Sequence, residues 1–349
     1  MRGSIRNYFR LLAEDRERGF AARLLGPLLS GIAWVYGVGV GTLRLLHEKK
    51  ILKRKRLPYP VVSVGNLTWG GSGKTPLVEY LAHRISERRR TPLVLTRGYS
   101  QDEIEQLRHH LPRVIIGVGK DRLKVGRNIG QRNRIDIAVL DDGLQHWPVE
   151  RDIEIVAVNC LNPFGNGHLL PRGILREPLS VLKNAAIIVL SHVNLVKIED
   201  LKKLKEQIQR IAPNSFIVES YLEPLFFYRA RQRSRVSLDR LHNHRVTTFS
   251  GVASPRSFQL TLSNFQIKPI RNFEFTDHHP FSVQELEEIK RVSDSAFAAE
   301  IITTEKDFYR SPKAISEILN PLILATRLRI LSGEDVLTDR LFRLVGLVK

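Results

Sequence analysis

The chain has 349 residues, of which 42% are hydrophobic, and its 55 Lys and Arg against 36 Asp and Glu give a net charge of +19. This apolar content excludes a disordered chain, and the single cysteine, Cys160, excludes a disulfide framework and a multi-cysteine zinc or iron–sulfur site. The length is typical of two domains or one large one. The charge leaves nucleic acid, an anionic membrane surface and phosphorylated substrates as candidate partners.

Close to half of the net positive charge, +9 of +19, lies in the first 60 residues, which hold 13 Lys and Arg and four acidic residues. Between basic flanks runs the uncharged stretch Leu24–Leu43, which contains Pro27 and five glycines. Such a segment is typical of a helix in the membrane interface, with Trp34 and Tyr36 at headgroup depth and basic side chains on anionic lipid. An apolar helix packed on a soluble domain and a true membrane span are the alternatives.

From residue 58 onward the pattern predicts an α/β fold with a mostly parallel sheet and helices on both faces. Short apolar runs predict the first set of strands, at Val61–Val64, Leu93–Thr96, Val114–Gly117, Ile135–Leu140, Ile153–Asn159, Ile187–Leu190 and Phe216–Ser220. The stretch 221–236 is Arg-rich and is predicted to be irregular, which places a domain boundary there. A second α/β set follows, with strands at Val246–Ser250, Ile301–Thr304 and Leu322–Ala325.

The motif GNLTWGGSGKTP at Gly65–Pro76 lies between a predicted strand and a predicted helix, which is the context of a P-loop. Glycines let the backbone wrap around phosphate oxygens, and the N–H groups at a helix start point at the anion. Lys74 can reach the β- and γ-phosphates, and the Thr75 hydroxyl can bind Mg²⁺. One departure is Thr68, where the usual pattern has Gly. The predicted nucleotide-binding residues of the loop are Gly70, Gly71, Ser72, Gly73, Lys74 and Thr75.

A second candidate site feature is the apolar strand Ile135–Leu140, which ends in Asp141 and Asp142. The carboxyl ends of strands form the ligand edge of a doubly wound sheet, so a carboxylate there can hold Mg²⁺ opposite Lys74. A turn with two solvated acids is the alternative. Adjacent carboxylates repel each other, which favours a cation beside them.

The chain resembles the tetraacyldisaccharide 4′-kinase family across nearly its whole length. The motifs that carry this resemblance are the P-loop, LTRGY (Leu95–Tyr99), DDGLQH (Asp141–His146), RDIEIV (Arg151–Val156), FGNGHLLPRGILREPL (Phe164–Leu179), FTDHH (Phe275–His279) and TEKD (Thr304–Asp307). The N-terminal LLGPLLSGIAWVYG resembles that family's membrane-associated leader. The resemblance implies transfer of the γ-phosphoryl group of MgATP to the 4′-hydroxyl of a tetraacyl glucosamine disaccharide 1-phosphate, giving lipid IVA in lipid A biosynthesis.

The resemblance also implies roles for the residues that grip the substrate. Arg97 and Tyr99 of LTRGY, together with Gln145 and His146 of DDGLQH, match positions that hold the sugar and its phosphate. These four residues are the predicted substrate contacts.

The remaining implied roles concern the nucleotide, the metal and the reaction itself. Arg176 and Glu177 of LREP match a pair near the nucleotide phosphates and the metal, and His278 matches a histidine that assists the catalytic acid. The family carries that acid in Gly-Asp-Glu-Pro after a long Gly-rich stretch, whereas this chain has only 100–103 (SQDE), in which Asp102 is the match. The shortened form resembles the plant-type members. Taken alone, Asp102 is also typical of a helix N-cap.

The predicted organisation is a membrane-associating leader at 1–57, a P-loop kinase domain at 58–222 and a smaller α/β domain at 223–349 that closes over the active site. The resemblance implies a peripheral membrane protein, on the cytoplasmic face of the inner membrane in a bacterium or in an organelle, the mitochondrion, in a plant. No obligate protein partner is inferred. Alternative functions are a P-loop kinase or NTPase with another acceptor, and a nucleic-acid-binding P-loop protein. Lys306 and Asp307 could form a surface ion pair.

Overall fold

The computed structural model describes residues 20–98 and 101–347 of the chain, and the predicted α/β class is confirmed. The helices of the described residues are α1 (Phe20–Glu48), α2 (Lys74–Glu87), α3 (Gln101–His110), α4 (Arg122–Gly130), α5 (Ile198–Ile211), α6 (Pro255–Asn264), α7 (Val283–Ser295), α8 (Glu305–Arg310), α9 (Pro312–Ile318) and α10 (Glu334–Leu344). The strands are β1 (Val61–Gly65), β2 (Pro92–Thr96), β3 (Ile115–Val118), β4 (Ile137–Asp141), β5 (Ile153–Asn159), β6 (Ile187–Ser191), β7 (Phe216–Arg229), β8 (Arg235–Val236), β9 (Val246–Ser250), β10 (Pro269–Glu274), β11 (Glu300–Thr304) and β12 (Leu322–Ser332).

The chain divides into two compact units that are not continuous in sequence. The larger unit contains the chain up to Arg97, Leu111–Tyr221 and the chain from Ile330, and the smaller contains Gly98–His110 and Leu222–Arg329. One division falls between Tyr221 and Leu222. Helix α3 belongs to the smaller unit and α10 to the larger one, whereas the predicted domains placed them the other way round.

The larger unit is built on a parallel sheet with the strand order β7-β6-β5-β1-β4-β2-β3. Strands β1, β2, β4 and β6 are buried along their whole length, which explains their near-continuous apolar sequences. Because β1 lies between β4 and β5, the strand order changes direction beside it. That position in a doubly wound sheet is where ligands bind, at the carboxyl ends of the strands.

The C-terminal helix α10 is bonded to the helix that follows β1. The Tyr80 hydroxyl of α2 donates to Glu334 Oε1 at 2.6 Å, and Arg84 Nη2 donates to the same oxygen at 2.7 Å. The prediction missed this assignment because both contacts join residues about 250 positions apart.

The smaller unit contains the sheet order β10-β9-β11-β12-β7, with β8 antiparallel to β7. The prediction that 221–236 is irregular is wrong as far as Arg229, because β7 continues to that residue. The strand is stabilised by the fully buried Phe227 and by Glu223, which accepts from Arg327 at 3.1 Å and Arg329 at 2.8 Å. Arg229, one of the arginines that suggested a loop, is the last residue of this strand and pairs with Glu300 at 2.6 Å.

Helix α1 packs on the larger unit through one face and exposes the other. Leu29, Ala33 and Val40 are buried, at the three- to four-residue spacing of one helix face. A Cβ at Gly37 would lie 2.8 Å from Leu169 Cδ1, so the helix approaches Leu169 closely at this glycine. The opposite face carries exposed apolar side chains, namely Leu28, Ile32, Trp34, Val35, Val38, Leu43 and Leu45.

Cys160 directly follows β5 and is buried in the apolar core of the larger unit. Burial, aided by the negative charge of Glu219, raises the pKa of its thiol to about 12.

Candidate active site

The phosphate loop of the larger unit leaves β1 and enters α2 through two left-handed glycines. Gly70 has a φ of 118° and Gly73, which caps α2, has a φ of 79°. A side chain is strained in this conformation, so the loop requires glycine at both positions. The open surroundings of Gly70, where a Cβ would meet nothing within 4 Å, leave room for a ligand.

Polar side chains at the ends of two neighbouring strands hold the loop's carbonyl groups. Asn159 Nδ2 of β5 donates to the Gly71 carbonyl at 2.9 Å, and Ser191 Oγ of β6 donates to the Ser72 carbonyl at 3.0 Å. In a trans peptide the N–H that follows points opposite to the carbonyl. The N–H groups of Ser72 and Gly73 are therefore directed away from these strand ends, which is the orientation that a phosphate needs. The Ser72 hydroxyl is itself buried without a hydrogen-bond partner among the described residues.

Lys74 and Arg176 meet on the carboxylate of Asp142. Lys74 Nζ lies 3.4 Å from Asp142 Oδ1 and donates to Asn66 Oδ1 at 2.7 Å. Arg176 binds the same carboxylate with two nitrogens, Nη1 to Oδ2 at 3.0 Å and Nη2 to Oδ1 at 2.7 Å. Arg176 Nη2 also contacts Asn66 Oδ1 and the Asn66 carbonyl. Two cations, one carboxylate and one amide thus form a compact polar cluster, which we call the loop cluster.

The charges of the loop cluster set the protonation of its members. Burial opposes ionisation of Asp142, but Arg176, Lys74 and Arg122 together hold the pKa of its carboxyl well below its usual range. Burial lowers the pKa of Lys74, with Asp142 opposing and Arg176 reinforcing that effect. A bound phosphate would add the negative charge that favours the ammonium form of Lys74.

The backbone at Asp142 is left-handed, with a φ of 50°. Arg122 Nη1 donates to the Asp142 carbonyl at 3.0 Å and helps to hold this turn. The next residue, Gly143, approaches β1 so closely that a Cβ there would lie 2.2 Å from Ser63 Oγ. The DDG sequence is therefore explained by an aspartate that tolerates a left-handed turn and a glycine that fits against the sheet.

The segment that carries Arg176 pairs with the phosphate loop through backbone hydrogen bonds. Arg176 N donates to the Leu67 carbonyl at 2.7 Å, and Trp69 N donates to the Ile174 carbonyl at 2.7 Å. These bonds bring the LREP motif beside a loop that precedes it by about a hundred residues. The sequence prediction that Arg176 lies near the nucleotide-binding loop is consistent with this pairing.

Glu177 is a buried carboxyl group beside Gln145. Gln145 Nε2 donates to Glu177 Oε1 at 3.3 Å, whereas Glu177 Oε2 is buried without a hydrogen-bond partner in the described part of the chain. Burial raises the pKa of Glu177 from 4.5 to about 7, against the lowering effect of Gln145 and nearby arginines. A buried carboxylate oxygen with no partner is a suitable ligand for a divalent cation.

The other predicted metal ligands are placed differently. Asp141 is buried at the end of β4 and accepts from Thr96 Oγ1 at 3.2 Å, while both oxygens of Asp142 are bonded to Arg176. No three His, Cys, Asp or Glu side chains of residues 20–98 and 101–347 are grouped so that they could hold a metal ion. Mg²⁺ in nucleotide-dependent enzymes commonly takes one or two carboxylates together with substrate phosphates, and Thr75, Asp141 and Glu177 fit such a set.

The predicted substrate residues lie near the DDGLQH turn, as far as they are described. Arg97 is exposed at the end of β2 and contributes to the lowered pKa of His146. Burial lowers the pKa of His146 to about 4, with Arg122 and Arg151 adding to the effect. Gln145 contacts Glu177 and the Arg176 carbonyl, so it holds other site residues in place. Tyr99 lies outside the described residues.

The smaller unit contains a second cluster of charges, which we call the acid cluster, around Asp102. Asp102 is buried, and Arg310 Nε of α8 donates to its Oδ2 at 2.9 Å. The His278 Nδ1 atom lies 3.8 Å from the same oxygen, which is long for a hydrogen bond. Asp102 lies inside the first turn of α3, so the alternative that it is an N-cap is wrong.

Three further charged side chains surround His278. Its Nε2 lies 3.7 Å from Glu103 Oε1 and 3.6 Å from Asp277 Oδ2. Lys306 Nζ lies 3.2 Å from Glu103 and 3.3 Å from Asp277, and these carboxylates raise the pKa of Lys306 against the effect of burial. The histidine thus lies within 4 Å of three carboxylates, those of Asp102, Glu103 and Asp277.

The suggestion that Lys306 and Asp307 form a surface ion pair is wrong. Asp307 is fully buried, and burial raises its pKa. Its Oδ1 accepts from Arg310 Nη1 at 2.8 Å and from the Gly251 N–H at 2.9 Å, and its Oδ2 accepts from Thr304 Oγ1 at 2.7 Å. Arg310 therefore donates hydrogen bonds to two buried carboxylates, those of Asp307 and Asp102.

Sequence reasoning missed several residues that hold these clusters. Asn159 and Ser191 could have been found, because polar residues at the ends of buried strands mark the ligand edge of a parallel sheet. Asn66 lies inside the predicted loop motif but received no role. Arg310 had no signal beyond its position three residues after the TEKD motif.

Comparisons of its sequence and structure relate this chain to known proteins. A family model described as tetraacyldisaccharide-1-P 4′-kinase matches residues 25–345. A protein of Arabidopsis thaliana named probable tetraacyldisaccharide 4′-kinase, mitochondrial, is 35% identical over 344 residues, covering 88% of this chain and 87% of its own. A tetraacyldisaccharide 4′-kinase of Halothermothrix orenii is 32% identical over 340 residues, covering 88% of both chains.

A solved structure is also similar over most of the chain. The crystal structure of LpxK from Aquifex aeolicus in complex with ATP has a TM-score of 0.69 and 26% identity, and the alignment covers 92% of this chain and 99% of that one.

The raised pKa of Glu177 predicts a pH-dependent loss of stability that Glu177→Gln removes. The folded state binds this proton more tightly than the unfolded state, so its stabilising effect is complete below pH 4.5 and is lost as the pH rises to about 7. The free energy of unfolding is measured with urea at pH 5 and pH 8, without nucleotide and metal. Between these pH values, that of Glu177→Gln should rise relative to wild type by up to about 3 kcal/mol, at ~1.4 kcal/mol per pH unit. Glu150→Gln, at an exposed site, is the control. An equal effect of Glu177→Gln at both pH values would contradict the prediction.

Proposed function

The chain belongs to the tetraacyldisaccharide-1-P 4′-kinase family, and from this premise we propose how its residues perform the reaction. The activity is transfer of the γ-phosphoryl group of ATP to the 4′-hydroxyl of tetraacyldisaccharide 1-phosphate, a step of lipid A biosynthesis. The observation that carries the residue-level proposal is the loop cluster, in which Lys74 and Arg176 share the carboxylate of Asp142 beside a glycine loop.

ATP binds with its phosphates in the glycine loop. The N–H groups of Ser72 and Gly73 and the start of α2 face the β- and γ-phosphates, and Lys74 and Arg176 supply positive charge. Before ATP binds, Asp142 neutralises these two cations. As the triphosphate enters, its oxygens take over part of that role, so that Lys74 can follow the γ-phosphoryl group during transfer.

Residues of the same unit would hold the magnesium ion. Mg²⁺, when bound, neutralises charge on the β- and γ-phosphates and orients them for in-line attack. The Thr75 hydroxyl and the carboxylates of Asp141 and Glu177 would bind it together with phosphate oxygens. Asp142 would contribute indirectly, through its hold on Lys74 and Arg176. The partnerless oxygen of Glu177 supports this set.

Asp102 accepts the proton of the attacking sugar hydroxyl. Its carboxylate is buried and oriented by Arg310, and His278 lies near enough to move into hydrogen-bond contact when substrate binds. Catalytic hydrogen bonds are often long before the substrate is present. We assign His278 the role of supporting Asp102, as the family resemblance implies.

Substrate binding involves the DDGLQH turn and the LTRGY motif. Arg97 is exposed and suited to an anionic phosphate of the substrate, and Tyr99 of the same motif completes the proposed contact. His146 is neutral at pH 7 because its pKa lies near 4, so it can donate and accept a hydrogen bond without adding charge.

The helix α1 binds the membrane surface with its exposed apolar face. It is long and apolar enough to span a bilayer by length and composition, since an 18-residue stretch within Leu25–Glu48 has a mean hydropathy of 1.4. A span would need lipid around the helix, but one face contacts the larger unit from Leu29 to Glu48, where Glu48 Oε1 lies 3.4 Å from Asn184 Nδ2. An interfacial position fits this arrangement. Exposed basic residues at 49–50 and 53–56 follow the helix and would contact anionic headgroups.

The kinase reaction is tested directly with purified protein, MgATP and the tetraacyl disaccharide 1-phosphate in dispersing detergent. We expect the bisphosphate product, and we expect Lys74→Met to lower kcat by at least about 10³-fold because it removes charge stabilisation from the transferred group. The product is measured by thin-layer chromatography with γ-labelled ATP. Absence of product with wild-type protein that binds ATP would refute this acceptor.

Asp102→Asn tests the proton acceptor. We expect kcat to fall by about 10²–10⁴-fold with nucleotide affinity unchanged, because the amide cannot take the proton. Glu105→Gln, on the same helix, is the control and should retain activity. Calorimetric binding of nucleotide confirms that Asp102→Asn is folded despite losing its charge pair with Arg310. If Asp102→Asn keeps wild-type turnover while Glu103→Gln loses it, the proton acceptor is Glu103.

Vesicle sedimentation tests the membrane role of α1. The triple variant Leu28→Ser, Ile32→Ser, Val35→Ser should weaken binding to vesicles with anionic lipid at least about tenfold, because each apolar side chain contributes ~1.5 kcal/mol or more. Phe297→Ser with Leu331→Ser, which removes equally exposed apolar side chains elsewhere, should bind like wild type. Raising the salt concentration should weaken binding further. Resistance of the wild type to alkaline carbonate extraction would indicate a true span instead.

A further inference from the structure

Tyr36 of α1 faces the larger unit, whereas the sequence analysis placed it at headgroup depth with Trp34. Trp34 is 72% exposed, whereas Tyr36 is partly buried on the opposite side of the helix. Two residues along an α-helix are about 200° apart, which explains why these neighbours face different surroundings. The Tyr36 hydroxyl donates to the backbone carbonyl of Arg176 at 3.0 Å, across 140 residues of sequence.

The Arg176 carbonyl is held from two directions. Gln145 Nε2 donates to the same oxygen at 3.2 Å, so one acceptor joins α1, the DDGLQH turn and the LREP segment. A carbonyl and the following N–H belong to one rigid peptide plane. Fixing this oxygen therefore fixes the plane between Arg176 and Glu177 and limits where both side chains can point.

The side chains on either side of this peptide carry opposite charges and different tasks. Arg176 binds Asp142 in the loop cluster, whereas Glu177 presents the partnerless Oε2. A second contact between α1 and the same segment is close, since Gly37 packs against Leu169. The segment is thus held by α1 on one side and hydrogen-bonded to Leu67 and Trp69 of the phosphate loop on the other.

We propose that Tyr36 is a positioning residue that sets Arg176 and Glu177 for binding of magnesium and nucleotide, so that the helix which meets the membrane also organises the phosphate site. The inference rests on the proposed function, in which these two residues hold nucleotide phosphate and metal. Tyr36 touches no substrate in this scheme and acts only through the Arg176 carbonyl.

Tyr36→Phe tests the proposal, with Tyr59→Phe as the matched control. The Tyr59 hydroxyl also donates to a distant backbone carbonyl of the larger unit, that of Gly126 at 2.7 Å, and this carbonyl belongs to none of the proposed site residues. Binding of MgADP is measured by titration calorimetry over a range of Mg²⁺ concentrations, and turnover is measured over the same range. Tyr36→Phe should raise the Mg²⁺ concentration for half-maximal binding and turnover about three- to tenfold, the effect of one hydrogen bond. Its kcat at saturating Mg²⁺ should change less than that.

A merely structural role makes a different prediction. Tyr36→Phe and Tyr59→Phe would then both lower the unfolding temperature and leave the Mg²⁺ dependence unchanged, which would overturn the proposal. The double variant Tyr36→Phe, Gln145→Met gives a second measurement, because two donors to one carbonyl should act non-additively on MgADP binding and independent residues should not. Additive effects would also overturn it. If Mg²⁺-dependent nucleotide binding shifts as expected but wild type phosphorylates no disaccharide, the positioning role holds and the proposed acceptor fails.

Discussion

The carboxylate of Asp142 lies between Lys74 and Arg176, and the geometry of the phosphate site follows from this shared charge. Two partly buried cations repel each other, and a cation withdrawn from water without a partner is costly. A single carboxylate with a left-handed backbone, at the end of a central strand, satisfies both cations. The loop can therefore be folded without a nucleotide, and the same cations are ready for phosphate oxygens when one binds.

The sequence indicated the parts of this site that are local in the chain. Residue spacing predicts the glycine loop, the start of α2 and the strand that ends in Asp141 and Asp142. Hydrophobic periodicity and turn-forming residues determine such local structure. The bonds that join Arg176 to Asp142 could not be derived from spacing, since they connect distant segments; only the family resemblance placed Arg176 near the nucleotide. Tyr36 is the reverse case. Local composition predicted that its side chain contacts lipid headgroups, whereas its hydroxyl donates a hydrogen bond to the distant Arg176 carbonyl.

The smaller unit shows a related limit of sequence reasoning. Arg310 has a side chain only 5% exposed and is bonded to Asp102, Asp307 and the Gly251 carbonyl. Asp307 and Arg310 are three positions apart on one helix, which favours their pairing, but the pairing with Asp102 depends on how α3 joins this unit. Removing one member of such a buried network leaves an uncompensated charge and commonly costs about 3–5 kcal/mol. Charge changes here will therefore affect folding as well as chemistry, and binding measurements are needed to separate the two.

The buried Cys160 has a consequence for the surroundings in which the protein can work. It is the single thiol of the chain, its pKa is raised to about 12, and it lies in the core behind β5. A thiol that is neither ionised nor accessible reacts slowly with peroxide, disulfides and alkylating agents. Relatives of this chain include bacterial proteins and one named as mitochondrial, and these settings differ in oxidant load. None of the catalytic residues proposed for this chain contains sulfur. Oxidants in either setting therefore have no exposed cysteine with which to react.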